Sequence, residues 1–299
     1  MMCSLSGWAY AHVAGGAFSH WHLWSWLHSH VIGCLHHLPF LVASAVASWR
    51  AGPDVVSSSD RYALRFRGGI GAWQLGVQNR LLMRLLDKRT CHTVLDVGGG
   101  HGQYTDDLIG RGHRLTVLGS APETVHRIRR QVEAGACRFE TGDFMQLPHG
   151  DREFDCVVSI RQLAHVDDPA GFLSELCRVA RHAVIVDFPP RLSFNVFSRL
   201  LFPLKHLLEN RSTRPYTVFS ESRLEAILSA QGFRVTGRCP QFCTPMVFHR
   251  VVRWVALIRG IERLCSGLGF TSRFGSPILL RAERQGADTE AGQGDVHSP

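Results

Sequence analysis

No lysine or arginine precedes Arg50, so the chain lacks the positively charged start that a secretory signal requires. It also lacks a clean apolar run of about 20 residues. The nearest candidate, residues 31–47, is interrupted by His36, His37 and Pro39, which excludes a membrane span and leaves weak interfacial association of the N-terminal segment as the alternative. The nine cysteines are odd in number and irregular in spacing, which excludes a disulfide framework and points to a reducing, cytoplasmic setting. Cys239 and Cys243 are one residue too far apart for a Cys-x-x-Cys redox or zinc motif and read as packing residues. No acidic residue supports the pairs His20/His22, His28/His30 and His36/His37, so no metal site is expected there. Despite a formal net charge of +8, there is no long basic run and no aromatic–basic interleaving. Only Arg127, Arg129 and Arg130 are locally dense, and they read as a solvated helix face.

What is present divides the chain. Seven of the 17 histidines lie between His12 and His37, and five of the seven tryptophans at or before Trp49. Residues 1–55 therefore read as a poorly ordered leader, with the coherent protein beginning near Val55. Residues 56–285 have the composition of one α/β domain, and 286–299 are polar enough to be a disordered tail.

The run Val94-Leu95-Asp96-Val97-Gly98-Gly99-Gly100-His101-Gly102 carries most of the functional information. Its apolar start reads as a buried strand, its glycines as a tight turn, and Tyr104 onward as a helix. Glycine lets backbone N–H groups and a helix N-terminus approach a ligand closely, and an acid at the strand's end suits a cationic amino group. The dinucleotide fingerprint Gly-x-Gly-x-x-Gly fails, because Gln103 or Thr105 stands at the third glycine in either register. A phosphate-binding Gly-Lys-Ser/Thr is absent. His101 reads as an exposed filler of the turn.

The pattern Asp96-x-Gly98-x-Gly100-x-Gly102 resembles the first motif of class I S-adenosylmethionine-dependent methyltransferases. Further segments agree in order: Gly142-Asp143-Phe144 after a short strand, Phe154-Asp155 opening an apolar strand, Leu163-Ala164-His165 before Asp168-Pro169, the helical face Phe172, Leu173, Leu176 and Val179, and the apolar strand Ala183–Phe188. The resemblance covers about residues 75–285. It implies a Rossmann-like, doubly wound α/β fold with a seven-stranded, mostly parallel sheet, an antiparallel last strand and a helical insertion after strand 5. It implies S-adenosylmethionine as cofactor, held by Asp96, Gly98, Gly100 and Gly102, with Asp143 reading the adenine amino group and Phe144 packing on the ring. One departure stands out. The acid that usually ends the second strand and binds the ribose hydroxyls is replaced by Gly119, removing a charge-assisted contact worth roughly 1.5–3 kcal/mol. Ser120 supplies a weaker hydrogen bond in its place; Glu123 reaches in or only complements its helix dipole.

Elsewhere, residues 56–90 and 190–215 read as helical cap elements, with an amphipathic helix from Trp73 to Asp87 and an apolar stretch from Leu192 to Glu209. A helix to Gly232, a strand over Phe233–Arg238, one long helix from Met246 to Leu264 and a last strand over Ser276–Ala282 complete the domain. His165, just after the fourth strand, is the candidate general base, with a loop histidine bonding backbone as the competing reading. Arg161 is assigned to the cofactor's methionine carboxylate or to an acidic acceptor. Three function classes stay open: methyl transfer to a small apolar or aromatic acceptor at oxygen or carbon; methylation of RNA or protein; and a non-catalytic cofactor-fold module, which Gly119 brings into play. Ile160-Arg161-Gln162-Leu163 stands where many amino-group methylators carry Asn-Pro-Pro-Tyr, and this favours the first class.

Overall fold

In a computed structural model, residues 52–87, 89–193, 216–252 and 254–286 are described. Residues 1–51, the stretch 194–215 and the tail beyond 286 lie outside them, and with these the expectations placed there. The described residues form one compact unit.

Seven strands make a single sheet: β1 (Thr93–Val97), β2 (Arg114–Gly119), β3 (Arg138–Thr141), β4 (Phe154–Ser159), β5 (Ala180–Phe188), β6 (Phe233–Phe242) and β7 (Ser276–Arg284). Their order is β3-β2-β1-β4-β5-β7-β6. Pairings among β1 to β5 are parallel, whereas β7 runs antiparallel between β5 and β6. This is the doubly wound arrangement expected from the sequence. The central strands are apolar along their length because helices cover both faces. Alternate residues serve opposite cores: Leu95, Val97, Val184 and Val186 enter one, while Val94, Cys156, Ala183 and Ile185 enter the other.

The helices are α1 (Pro53–Ser57), α2 (Asp60–Ala63), α3 (Gly68–Leu85), α4 (Thr105–Gly110), α5 (Arg129–Glu133), α6 (Pro169–Val179), α7 (Glu221–Ala230), α8 (Met246–Val252), α9 (Val255–Gly267) and α10 (Phe270–Phe274). Asp168 caps α6 by accepting from the Ala170 and Gly171 N–H groups, and Pro169 takes the first turn, where its missing N–H is harmless. The helix then buries Phe172, Leu173, Leu176 and Val179. At the far end of the sheet from the glycine loop, Asp155 accepts from the N–H groups of His92 and Thr93 and pairs with Arg181 at 2.8 Å. It stitches the start of β1 to β4.

Three expectations change. The single helix over Met246–Leu264 is broken, with Trp254 extended between α8 and α9. The break lets Glu262 return to the end of β6, where its carboxylate accepts the Cys243 and Thr244 N–H groups and contacts His249. Strand β6 also runs to Phe242, four residues past Arg238, because β7 pairs with it over that length. Residues 53–55, assigned by composition to the leader, belong to α1.

Candidate functional site

The strand order reverses between β1 and β4, and in sheets of this kind the crevice outside the strands' carboxyl ends at such a switch point is where ligands bind. Asp96 stands there, paired in register with Val117 and Val158 and 1% exposed. Neither carboxylate oxygen has a hydrogen-bond partner. Burial alone pushes its pKa up to about 7.

The glycines explain how the loop reaches this carboxylate. Gly98 is left-handed (φ 80°), and a Cβ there would lie 2.5 Å from the Gln162 side chain. At Gly99 a Cβ would come within 2.0 Å of Asp96 Oδ2, so only glycine lets the loop fold back over the acid. A Cβ at Gly100 would sit 2.3 Å from the Thr124 carbonyl oxygen. Gly102, also left-handed, closes the turn by donating its N–H to the Gly99 carbonyl at 3.0 Å. His101 is not an exposed filler. It is 1% exposed, its Nδ1 accepts from the Gln103 N–H, and Tyr104 meets its ring edge-on at 5.2 Å. Burial, with the nearby Arg161 and Arg127, drops its pKa to about 3, so the imidazole is neutral.

Arg161 follows β4 in a left-handed conformation (φ 67°), which costs energy in a residue with a Cβ. The Asp187 carboxylate at the end of β5 holds it there, accepting its N–H at 2.5 Å. Its guanidinium donates to Gln78 of α3 and to Gln103 of the loop, and lies 4.5 Å from the Phe66 ring centre and 5.9 Å from that of Tyr62. Gln162 donates its amide to the Gly98 carbonyl at 3.2 Å. His165 ends a short 3-10 turn, half-buried, and donates its N–H to the Gln162 carbonyl.

Along the same strand ends, Asp143 is exposed and accepts the Met145 N–H at 2.8 Å through Oδ1. Phe144 is 5% exposed and packs in the core, 6.3 Å from the Phe172 ring. The Ser120 hydroxyl and N–H both donate to the carboxylate of Asp54, on α1. Glu123 is exposed on the turn beyond. The edge thus gathers Asp96, the glycine loop, Ser120 and Arg161, together with four residues that carry no sequence motif: Asp54, Gln78, Gln162 and Asp187. Among the described residues, no group of three or more His, Cys, Asp or Glu is arranged to hold a metal.

An orphaned buried carboxylate beneath a glycine turn fits the ammonium of an amino-acid-bearing cofactor, which would compensate its charge. Comparison with known proteins points the same way. Residues 95–186 match the family described as "Methyltransferase domain". The demethylmenaquinone methyltransferase of Deinococcus radiodurans is 29% identical over 170 residues, covering 50% of this chain and 70% of that protein. Cycloartenol-C-24-methyltransferase 1 of Oryza sativa is 40% identical over 95 residues, but these are only 29% of this chain and 27% of that one. In fold, the magnesium protoporphyrin IX methyltransferase of Synechocystis, solved with bound SAH, is similar with a TM-score of 0.53 at 17% identity, over 76% of this chain and 94% of that one.

The buried acid carries a stability signature. Its pKa is raised on folding from the ordinary 3.8 to about 7, so the folded state binds the extra proton between those values. Its burden on stability is therefore absent below about pH 4, grows as pH rises and is complete above about 7. Three pKa units correspond to about 4 kcal/mol. Urea unfolding of ligand-free Asp96→Asn should show it more stable than wild type at pH 8, with the gap closing toward pH 5. A variant equally or less stable at pH 8 contradicts the uncompensated charge.

Proposed function

We propose, for a chain that belongs to the class I S-adenosylmethionine-dependent methyltransferase superfamily, that it moves the cofactor's methyl group to an oxygen or carbon of a small apolar or aromatic acceptor. The observation that carries this reading is the loop after β4. Ile160 is buried, the Arg161 guanidinium is engaged by Gln78 and Gln103, and the Gln162 amide is turned onto Gly98. The loop thus carries no Asn-Pro-Pro-Tyr to grip an acceptor amine, and its Gln162 side-chain oxygen is buried. Relatives named for demethylmenaquinone and cycloartenol support an apolar acceptor.

When bound, S-adenosylmethionine supplies an electrophilic methyl on a good leaving group. The chain's tasks are to hold, align and exclude water. Asp96 holds the ammonium end beneath the loop that Gly98, Gly100 and Gly102 shape, and Asp143 has a second carboxylate oxygen for the adenine amino group. Arg161, fixed by Asp187, ties α3 to the glycine loop and takes the carboxylate end. His165, next along the loop, accepts the acceptor's hydroxyl proton.

Two measurements test this. With methyl-tritiated S-adenosylmethionine and mixed acceptors (a hydroquinone, a sterol, transfer RNA and a protein extract), label should enter the organic-soluble fraction. Label in RNA or protein, falling steeply with salt for RNA, contradicts the reading. His165→Gln should lower kcat on a hydroxyl acceptor by about 10²–10⁴-fold with cofactor affinity unchanged. A loss under about threefold, against that expected range, removes His165 from the reaction.

A further inference from the structure

We propose that Asp54, carried on α1, supplies the carboxylate that receives the cofactor's ribose hydroxyls, replacing the strand-end acid whose position Gly119 occupies. The inference rests on the cofactor assignment above and identifies the missing half of that site.

Position 119 is filled from outside. A Cβ on Gly119 would lie 2.0 Å from Thr124 Oγ1 and 3.0 Å from the Phe139 ring, so no acidic side chain fits on the strand itself. One residue on, the strand end presents the Ser120 N–H and hydroxyl, and both donate to Asp54, to Oδ2 at 2.8 Å and to Oδ1 at 2.5 Å. An acid from 66 residues upstream thus sits against the end of β2. The Asp54 and Val55 N–H groups also face this carboxylate, so a vicinal diol would take their place on it.

The approach of this segment is close and specific. A Cβ on Gly52 would lie 2.1 Å from Ser120 Oγ, so the chain entering α1 is pressed onto the strand end. At the other end of α1, Ser58 is 3% exposed, its hydroxyl has no partner, and it lies 2.7 Å from where a Gly100 Cβ would be. The segment therefore spans from the ribose side of the site to the glycine loop, with an unsatisfied buried hydroxyl beside that loop. Just beyond, Asp60 pairs with Arg127 at 2.7 Å and fastens the segment to the turn after β2. Asp54 is fully buried, so its charge needs partners in place of water.

The test is a binding cycle on the full chain by calorimetry, using S-adenosylhomocysteine and its 2′-deoxy analogue. Wild type should lose about 10–100-fold in affinity when the hydroxyl is removed, the range for one charge-assisted hydrogen bond. Asp54→Asn should weaken S-adenosylhomocysteine by a similar factor and then distinguish the two ligands by less than about threefold, because the charged partner is gone. Native affinity in Asp54→Asn, or an undiminished preference for the hydroxyl, overturns the proposal and leaves Asp54 as an anchor for Ser120. If Asp54→Asn does not fold, Ser120→Ala decides: it keeps the carboxylate, removes one positioning donor and should lose part of the hydroxyl preference, while full preference overturns the assignment. Failure of wild type to bind S-adenosylhomocysteine at all would instead remove the cofactor reading itself.

Discussion

The site depends on one electrostatic imbalance, a carboxylate buried at the switch point of the sheet with nothing among the described residues to neutralise it. Strands on both sides fix Asp96 in the sheet centre, and the glycine turn shuts it from water. Each glycine is there for a close approach or a left-handed turn: Gly99 to the acid, Gly98 to Gln162, Gly100 to Thr124. Protein interiors tolerate such an isolated acid only by protonating it or pairing it. Here burial lifts it to about 7, where it is poised between the two. A cationic ligand group resolves the imbalance, so stability forgone in the free protein is recovered as binding energy.

Around that acid, three stretches distant in sequence are locked together. Arg161 sits at the centre, its backbone held by Asp187, its guanidinium bridging α3 and the glycine loop beneath Tyr62 and Phe66. A buried guanidinium needs this density of partners, and its planar donors suit two glutamine carbonyls. Asp54 performs a similar linkage on the other side, joining α1 to the end of β2. The segment before α3 is therefore part of the site's wall, which a minimal strand–helix core would leave open.

The sequence made the sheet legible because parallel strands buried on both faces read as continuous apolar runs, as in Ala183–Val186. Its acidic and glycine positions were legible because backbone geometry demands those residue types locally. What escaped was set by contacts across long separations. Gln78 and Asp187 look like ordinary members of a helix and a strand until Arg161 joins them. Asp54, in a segment that composition assigns to the leader, is placed only by its bonds to a serine 66 residues on. His101 was misread because polar character in a glycine turn signals exposure, whereas Tyr104 and Arg127 enclose it. The break at Trp254 follows from Glu262 satisfying backbone donors past β6, a tertiary demand that helical periodicity does not register.

The most direct test of the uncompensated acid is the proton balance of cofactor binding, measured by titrating S-adenosylhomocysteine into the protein in buffers of different ionisation enthalpy. An acid with a pKa of about 7 is half protonated at pH 7, and an ammonium bound beside it drives that proton off. The account predicts release of about half a proton per ligand at pH 7, more at pH 6 and almost none at pH 8.5, with the effect gone in Asp96→Asn. Binding enthalpies independent of buffer at pH 6 and 7 would show that Asp96 is already ionised before the ligand arrives, and would contradict the central claim.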